Sequence, residues 1–254
     1  MKTAVFIKQV PDTNDVKWTK DNNIDRTNTE SILNPLDVQA IAAAAKLKKK
    51  YGGEITAVSM GVLKAQSVLK EASALGADNL ILLSDSKFAG SDTCACSKVL
   101  ASAAAKFFPD ADLLIFGQSA SDGETGQTGI ETAARLNLPF VSQVNDILDL
   151  SDGILTVSSE TETQKSILKI KLPAAICINN FADKIELPKI SGYIKAHDAD
   201  VKIFGINDLD IKPEETGIKG SPTYVSKVYK THEERDCRFV DIQELISIIK
   251  EAVK

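Results

Sequence analysis

A glycine-rich loop near the middle of the chain has the residue types of a phosphate-binding site. Its sequence, GQSASDGETGQTG at residues 117–129, follows the apolar run DLLIF and precedes the helical pattern IETAARLNL. Glycines let a backbone approach a ligand closely, and the N–H groups that open a helix favour an anion. The hydroxyl groups of Thr125 and Thr128 are further donors. The loop therefore predicts binding of a phosphate group.

The acidic residues of the same loop qualify this prediction. Asp122 and Glu124 argue against a bare anion, but either carboxylate can accept a hydrogen bond from a ribose hydroxyl or cap the helix. The pattern thus favours a phosphate that comes with a sugar. A capped turn that holds no ligand is the alternative.

Two other pairs of polar residues stand at predicted helix starts. Asn34 suits the N-cap of the helical pattern NPLDVQAIAAAAKLKKKYGG, and Asp37 lies in its first turn. Capping is the first interpretation of both residues, and ligand contact is the second. Asp92 and Thr93 open the pattern SDTCACSKVLASAAAKFF and have the same two interpretations.

The sequence lacks the motifs of several common catalytic and nucleotide sites. No G-x-G-x-x-G follows the first strand and no G-x-x-x-x-G-K-[ST] occurs, so the parts of a Rossmann or P-loop site are missing. The two histidines, His197 and His232, lie in polar surroundings rather than in a predicted core. Cys94 and Cys96 have no second pair that would complete a zinc site. We therefore expect no catalytic residue and no metal ligand.

The composition indicates a globular protein with one large domain or two small ones. The 254 residues are 43% hydrophobic and 26% charged, with a net charge of −5. An acidic chain argues against nucleic acid as a partner, and no apolar window is long enough to predict a membrane span. The start, MKTAVFIKQVPD, predicts a first strand rather than a signal peptide. The cysteines suit a reducing cytoplasm, so we expect a cytoplasmic protein.

Strand and helix patterns alternate four times through roughly the first 145 residues. The strand runs TAVFI, EITAVSMG, NLILLSD and DLLIFG are continuously apolar, which indicates burial on both faces. This pattern predicts an α/β fold, a doubly wound parallel sheet. Ligands of such sheets bind outside the carboxyl ends of the strands, where the loops KQVPD, SMG, LSDSKFAGSDT and GQSASDGETGQTG fall. We expect these loops to line one crevice.

The second part of the chain has a different character. Residues 153–180 predict two or three antiparallel strands that extend the sheet. The segment from Phe181 to Arg238 shows little regular pattern, and such a length without structure is unusual inside a domain. We therefore divide the chain into an α/β nucleotide-binding domain, 1–180, and an extended arm, 181–254. The arm ends in an amphipathic helix, DIQELISIIKEAVK, which packs on its own domain or on a partner subunit.

The order and spacing of several short motifs resemble the beta subunit of an electron transfer flavoprotein over nearly the whole chain. The motifs are IKQVPDT, NPLD, SMG, ALGAD, LLSDSKFAGSDT, GQSASDGETGQTG and GIKGSPTYV. The resemblance implies this α/β domain, and it implies that the C-terminal arm embraces an alpha subunit in a heterodimer.

The same resemblance implies an adenine nucleotide in the crevice. In the ordinary carriers of the family it is a structural AMP. In the electron-bifurcating branch it is a second FAD, beside the FAD held chiefly by the alpha subunit. The residues that the resemblance assigns to the ligand shell are Phe6, Asn34, Asp37, Met60, Asp92, Thr93, Gln118, Asp122, Gly123, Glu124, Thr125, Gly126, Gln127 and Thr128.

The loop pattern D-G-E-T-G-Q-T-G favours FAD, with AMP as the alternative. Gly123, Thr125 and the small Gly126 match the FAD type, whereas Thr128 matches the AMP type. Gln118 stands where the bifurcating pattern has an arginine, and it removes a cation that could neutralise a phosphate. Glu186 stands where the arm usually has an arginine. These departures bear on partner choice and on competence for bifurcation.

The resemblance implies an electron-carrier subunit with no acid/base or nucleophilic chemistry of its own. Electrons from NADH would pass to ferredoxin and, through the alpha-subunit FAD, to a flavin-dependent dehydrogenase. The segment LPKISGYIKA resembles the family's recognition loop, in which Leu187 is the expected contact with that dehydrogenase or a buried leucine. A carrier with structural AMP is the second hypothesis. A stand-alone adenine-nucleotide hydrolase or ligase is the third.

Overall fold

The computed structural model describes residues 1–12, 30–183, 185–226 and 237–252. These residues form eleven strands and seven α-helices, joined by turns and short 3₁₀ segments. The polar sequence between Asp15 and Arg26 predicts a small hairpin, which lies outside the described residues.

The bounds of the elements follow the chain from one end to the other. The strands are β1 Lys2–Ile7, β2 Gln9–Pro11, β3 Ser31–Leu33, β4 Glu54–Met60, β5 Asn79–Leu83, β6 Leu113–Gly117, β7 Phe140–Ser151, β8 Ile154–Glu160, β9 Lys165–Lys171, β10 Ala174–Ile178 and β11 Val201–Phe204. The α-helices are α1 Pro35–Tyr51, α2 Gln66–Ala74, α3 Thr93–Phe107, α4 Thr128–Arg135, α5 Ile190–His197, α6 Gly217–Gly220 and α7 Ile242–Ala252.

Helix α1 begins and ends where the sequence predicts. Pro35 occupies its first position, where the missing N–H costs nothing, and Asp37 lies in the first turn. The last turn holds three lysines, whose charge complements the helix dipole. Gly52 ends the helix at a φ of 74°, a conformation that glycine adopts easily.

Nine strands form one mixed sheet in the order β11-β5-β4-β1-β6-β10-β7-β8-β9. Neighbours from β11 to β7 are parallel, and β7, β8 and β9 are antiparallel. The predicted α/β fold with an antiparallel extension is confirmed. Strand β10 differs from the expectation, because AAICI runs parallel between β6 and β7 instead of joining the antiparallel strands. All five of its residues are buried, which suits a central parallel strand.

Helices cover the two faces of the sheet, as a doubly wound fold requires. On one face, Ile41 and Leu47 of α1 and Leu69 of α2 pack into a core cluster with alternate residues of the strands. On the other face, Val99 of α3 and Ala133 of α4 belong to a second cluster. The central parallel strands β1, β5, β6 and β10 thus contribute apolar side chains to both clusters, which explains their continuously apolar sequences.

The chain changes direction across the sheet at β1. After β1 it adds β4 and β5 on one side, and then β6 on the other side. The carboxyl ends of β1 and β6, at Ile7 and Gly117, therefore flank a topological switch point. In open α/β sheets, ligands bind at such a point.

The segment from Phe181 to Arg238 has more regular structure than its sequence predicts. It contains α5 and α6, and β11 pairs in parallel with β5 at the edge of the sheet. The four residues of β11, VKIF, are only partly buried or exposed, so they lack the apolar pattern of a central strand. The sheet therefore takes an edge strand from the segment in which an extended arm is expected. In the described part of the chain, no helix combines the length and apolarity needed to cross a bilayer.

Candidate functional site

A buried carboxylate ties together the two strand ends at the switch point. Asp37 is buried, and its two oxygens accept hydrogen bonds from the N–H of Lys8, at 2.7 Å, and from the N–H of Gly117, at 3.2 Å. Burial raises the pKa of Asp37 to about 7, although the hydrogen bonds from Lys8, Asn34 and Gly117 oppose that rise. Asp37 thereby links the residue after β1 to the last residue of β6.

Asn34 holds the glycine-rich loop in a similar way. It occupies the N-cap position of α1, but its side chain makes no capping hydrogen bond. Instead its side-chain N–H donates to the carbonyl of Ser119 at 2.8 Å, and its oxygen accepts from the N–H of Ser121 at 3.2 Å. The expected side-chain cap is therefore wrong for Asn34. The amide anchors the loop, because both of its polar ends match backbone groups there.

The glycine-rich loop presents a run of free N–H groups. Glu124 and Gly126 have φ values of 50° and 64°, which turn the backbone just before α4. Among the described residues, no group accepts a hydrogen bond from the N–H groups of residues 125–130. A Cβ atom added at Gly123 would have no atom within 4 Å, so the loop borders open space there. Such a concave run of amides suits an anion.

A lysine bridges the crevice to this loop. The ammonium of Lys8, directly after β1, lies 2.6 and 2.8 Å from the two carboxylate oxygens of Asp122. The side chain of Lys8 is 48% exposed and that of Asp122 is 16% exposed. Lys8 is not among the residues that the sequence predicts for the site. Its position directly after a buried strand, within the loop KQVPD, is the sequence feature that indicates a place at the site.

Gln118 is engaged with the neighbouring strand. Its side-chain oxygen accepts from the backbone N–H of Gln143 at 2.9 Å, and its backbone N–H donates to the carbonyl of Ile178 at 2.9 Å. Gly126 lies close by, since a Cβ added there would be 3.4 Å from the Gln118 side chain. Gln118 therefore joins the loop to β7 and β10.

The start of α3 contacts both the loop and the C-terminal part of the chain. Asp92 caps α3 by accepting from the N–H of Ala95, and its other oxygen accepts from the N–H and hydroxyl of Thr223, at 3.0 and 2.8 Å. These bonds hold the pKa of Asp92 below its usual range against the opposing effect of burial. The hydroxyl of Thr93 donates to the side-chain oxygen of Gln127 at 3.2 Å. Capping by Asp92 is thus confirmed, and Thr93 meets the glycine-rich loop.

The remaining residues assigned to the ligand shell differ in exposure. Phe6 is buried in the core and stacks on Phe116, with ring centroids 4.6 Å apart. Met60 is partly buried at the carboxyl end of β4, beside Leu83 of β5. Their contact with a ligand stays a prediction.

Leu187 lies on the surface, outside the crevice. Its side chain is 85% exposed, and the nearby Ile190, Tyr193 and Ile194 of α5 are exposed as well. The alternative that Leu187 is an ordinary buried leucine is wrong for the isolated chain. The neighbouring Glu186 lies 3.3 Å from the ammonium of Lys49.

A polar cavity lies beside the site. It has a volume of about 380 Å³ and is lined by Gln143, Asn145, Glu160, Glu162 and Asn179, among others. The side-chain oxygen of Asn145 is buried and has no hydrogen-bond partner within the described chain. The described residues include no cluster of three or more side chains of the kind that holds a metal ion.

Sequence comparison assigns the chain to a family. A family model described as the electron transfer flavoprotein domain matches residues 21–199. The chain belongs to the electron transfer flavoprotein family. It is 36% identical over 237 residues to the electron transfer flavoprotein subunit beta of Thermoanaerobacterium thermosaccharolyticum, an alignment that covers 92% of this chain and 90% of that protein.

Two other relatives carry more specific names. The caffeyl-CoA reductase-Etf complex subunit CarD of Acetobacterium woodii is 36% identical over 232 residues, which cover 90% of this chain and 87% of that protein. Protein FixA of Rhizobium meliloti is 36% identical over 249 residues, which cover 95% of this chain and 85% of that protein. The resemblance to electron transfer flavoprotein beta subunits is confirmed, and electron transfer of the beta-subunit or FixA type is the function of this chain.

Proposed function

We propose that this chain is the beta subunit of a heterodimeric electron transfer flavoprotein and that it binds FAD in the crevice between β1 and β6. The run of free N–H groups at residues 125–130, beside the switch point, is the observation that carries this proposal. Backbone amides at a helix start suit the pyrophosphate of a dinucleotide. The carboxylates of Asp122 and Glu124 suit ribose hydroxyls, which need acceptors.

The space around the loop favours FAD over the smaller AMP. Gly123 borders open space, and Gly126 carries no side chain at the turn. AMP is the second candidate, because Thr128 matches the AMP type of loop. A bound flavin would supply redox chemistry, while the protein supplies position and electrostatics.

The proposed partners follow from the family and from exposed apolar residues. The alpha subunit, with its own FAD, is the proposed partner of the C-terminal helix α7, and Leu187 is the proposed contact with a flavin-dependent dehydrogenase. The name of the Acetobacterium woodii relative includes a caffeyl-CoA reductase complex, which supports a partner of this kind. With FAD in the crevice, we propose NADH as the electron donor and ferredoxin as a second acceptor, the scheme of electron bifurcation.

A nucleotide count tests the proposal. The chain is co-expressed with its alpha subunit and purified without oxygen, and released FAD and AMP are quantified after denaturation. Two FAD and no AMP per heterodimer are expected. One FAD and one AMP would favour the second candidate, and a heterodimer with no nucleotide beyond the FAD of the alpha subunit would contradict both.

A pair of glycine variants assigns the bound nucleotide to the loop. Gly126→Val places a branched side chain at a φ of 64°, beside Gln118. Gly153→Val imposes the same kind of backbone strain at a φ of 71°, in the turn between β7 and β8, where a Cβ meets no atom within 4 Å. We expect Gly126→Val to lose the second nucleotide and Gly153→Val to keep it. Equal nucleotide content in the two variants would place the nucleotide elsewhere.

A further inference from the structure

The ion pair between Lys8 and Asp122 crosses the crevice with both ends anchored. The backbone N–H of Lys8 donates a hydrogen bond to the buried Asp37. The loop that carries Asp122 is held by the two hydrogen bonds of the Asn34 side chain. The two carboxylate oxygens of Asp122 both contact the ammonium, at 2.6 and 2.8 Å. The pair therefore joins the end of β1 to the loop after β6.

The glycine-rich loop itself offers a phosphate no positively charged side chain. Asp122 and Glu124, the two charged residues of the glycine-rich loop, are both acidic. Among the described residues, Lys8 is the cation that forms an ion pair with the glycine-rich loop. About half of its side chain is exposed, so a ligand in the crevice can reach the ammonium.

We propose that Lys8 is a phosphate-binding residue of the crevice and that Asp122 holds its ammonium until a nucleotide phosphate takes that place. The proposal rests on the proposed function, since it requires a nucleotide at this loop. The flexible stem of lysine lets the ammonium turn from one oxygen ligand to another while its backbone stays bound to Asp37. Asp122 is then released to accept a hydrogen bond from a ribose hydroxyl. Lys8 thereby supplies a cation beside a loop whose charged residues are both acidic.

The test compares two ligands that differ in one phosphate group. AMP and adenosine are titrated by calorimetry into the nucleotide-depleted complex of this chain with its alpha subunit. Lys8→Met keeps the stem and removes the charge, and we expect it to weaken AMP binding about tenfold while adenosine binding stays the same. Lys8→Arg keeps the charge and should retain most of the preference for AMP. Asp122→Asn frees the ammonium and should raise the ratio of AMP affinity to adenosine affinity.

A second lysine provides the matched control. Lys48 pairs with Asp78, and Lys48→Met removes an ion pair without touching the loop or the end of β1. Its affinities for both ligands should equal those of the wild type. Unchanged AMP binding in Lys8→Met, or an equal loss for AMP and adenosine, would overturn the role of Lys8 and leave the proposed function standing. A wild-type complex that binds neither AMP nor adenosine would overturn the role of Lys8, and one that also binds no FAD beyond that of the alpha subunit would overturn the proposed function.

Discussion

A single residue, Asp37, makes the stability of the fold depend on pH. Its carboxyl group is buried between the ends of β1 and β6, and burial raises its pKa from 3.8 to about 7. The folded chain therefore holds this proton more tightly than the unfolded chain does. As pH rises from about 4 to about 7, the unfolded state loses the proton first, so this residue lowers the free energy of unfolding across that window.

The variant Asp37→Asn, which cannot titrate, makes this effect measurable. We expect the free energy of unfolding of the wild type to fall relative to the variant by about 4 kcal/mol between pH 4 and pH 8, at roughly 1.4 kcal/mol per unit of pKa shift. Urea unfolding at several pH values measures the difference. Asp85 and Asp92 have lowered pKa values and act in the opposite direction, but both proteins contain them, so their effect cancels. A difference that does not change with pH would contradict the raised pKa.

The start of α3 is an element at which two distant segments meet. Asp92 caps the helix and also binds Thr223, while Ser221 accepts a hydrogen bond from the N–H of Asp92 at 2.8 Å. Gly217 fits tightly beside this region, because a Cβ there would lie 2.3 Å from the carbonyl oxygen of Lys87. The motif GIKGSPT is thus bound to the loop after β5.

The variant Asp92→Ala should both release residues 217–223 from the start of α3 and destabilise the helix. Loss of the cap should cost about 1 kcal/mol of stability, and the N–H of Thr223 should exchange with solvent faster because its acceptor is gone. Hydrogen exchange and urea unfolding measure the two effects. Thr223→Val is the control, since it removes one hydroxyl contact and keeps the cap of α3. Unchanged exchange at Thr223 in Asp92→Ala would rule out this attachment.

The elements differ in how well the sequence predicts them, and burial explains the difference. Strands β1, β4, β5 and β6 were predicted because burial on both faces requires a continuously apolar run. The sequence does not predict the place of β10 between β6 and β7, because its apolar run fits any central position of the sheet. Strand β11 was missed because an edge strand needs few buried residues.

The site was predictable in its loops and less so in its contacts. The glycine-rich loop was found because glycines and a helix start have a recognisable pattern. The contact of Lys8 with Asp122 depends on β1 and β6 being neighbours, which the sequence pattern does not specify. The side chain of Asn34 was expected to cap α1, but the loop that it binds is distant in sequence. Contacts between distant segments follow from topology rather than from local pattern.

The whole molecule leaves apolar side chains exposed in its second part. Phe239 is almost fully exposed and Ile242 about three-quarters exposed, and Leu245, Ile246 and Ile249 of α7 are about half exposed. Exposed apolar patches of this kind mark interaction surfaces. Because α7 is amphipathic and buries none of its residues in the described chain, its apolar face is available to a partner. The alpha subunit is the proposed partner.

A charged residue on the apolar face of α7 should weaken binding of the alpha subunit without changing the stability of the isolated chain. We expect Ile246→Glu to weaken binding of the alpha subunit more than about tenfold, because burial of an unpaired carboxylate at an interface is unfavourable. Ser247→Glu introduces the same charge on the opposite side of α7 and should leave binding close to that of the wild type. Pull-down with the tagged alpha subunit measures binding, and thermal unfolding of the chain alone should be the same for both variants. If Ile246→Glu instead lowers the thermal midpoint of the isolated chain and leaves binding intact, α7 packs on its own domain, since only a helix already buried there would destabilise the fold.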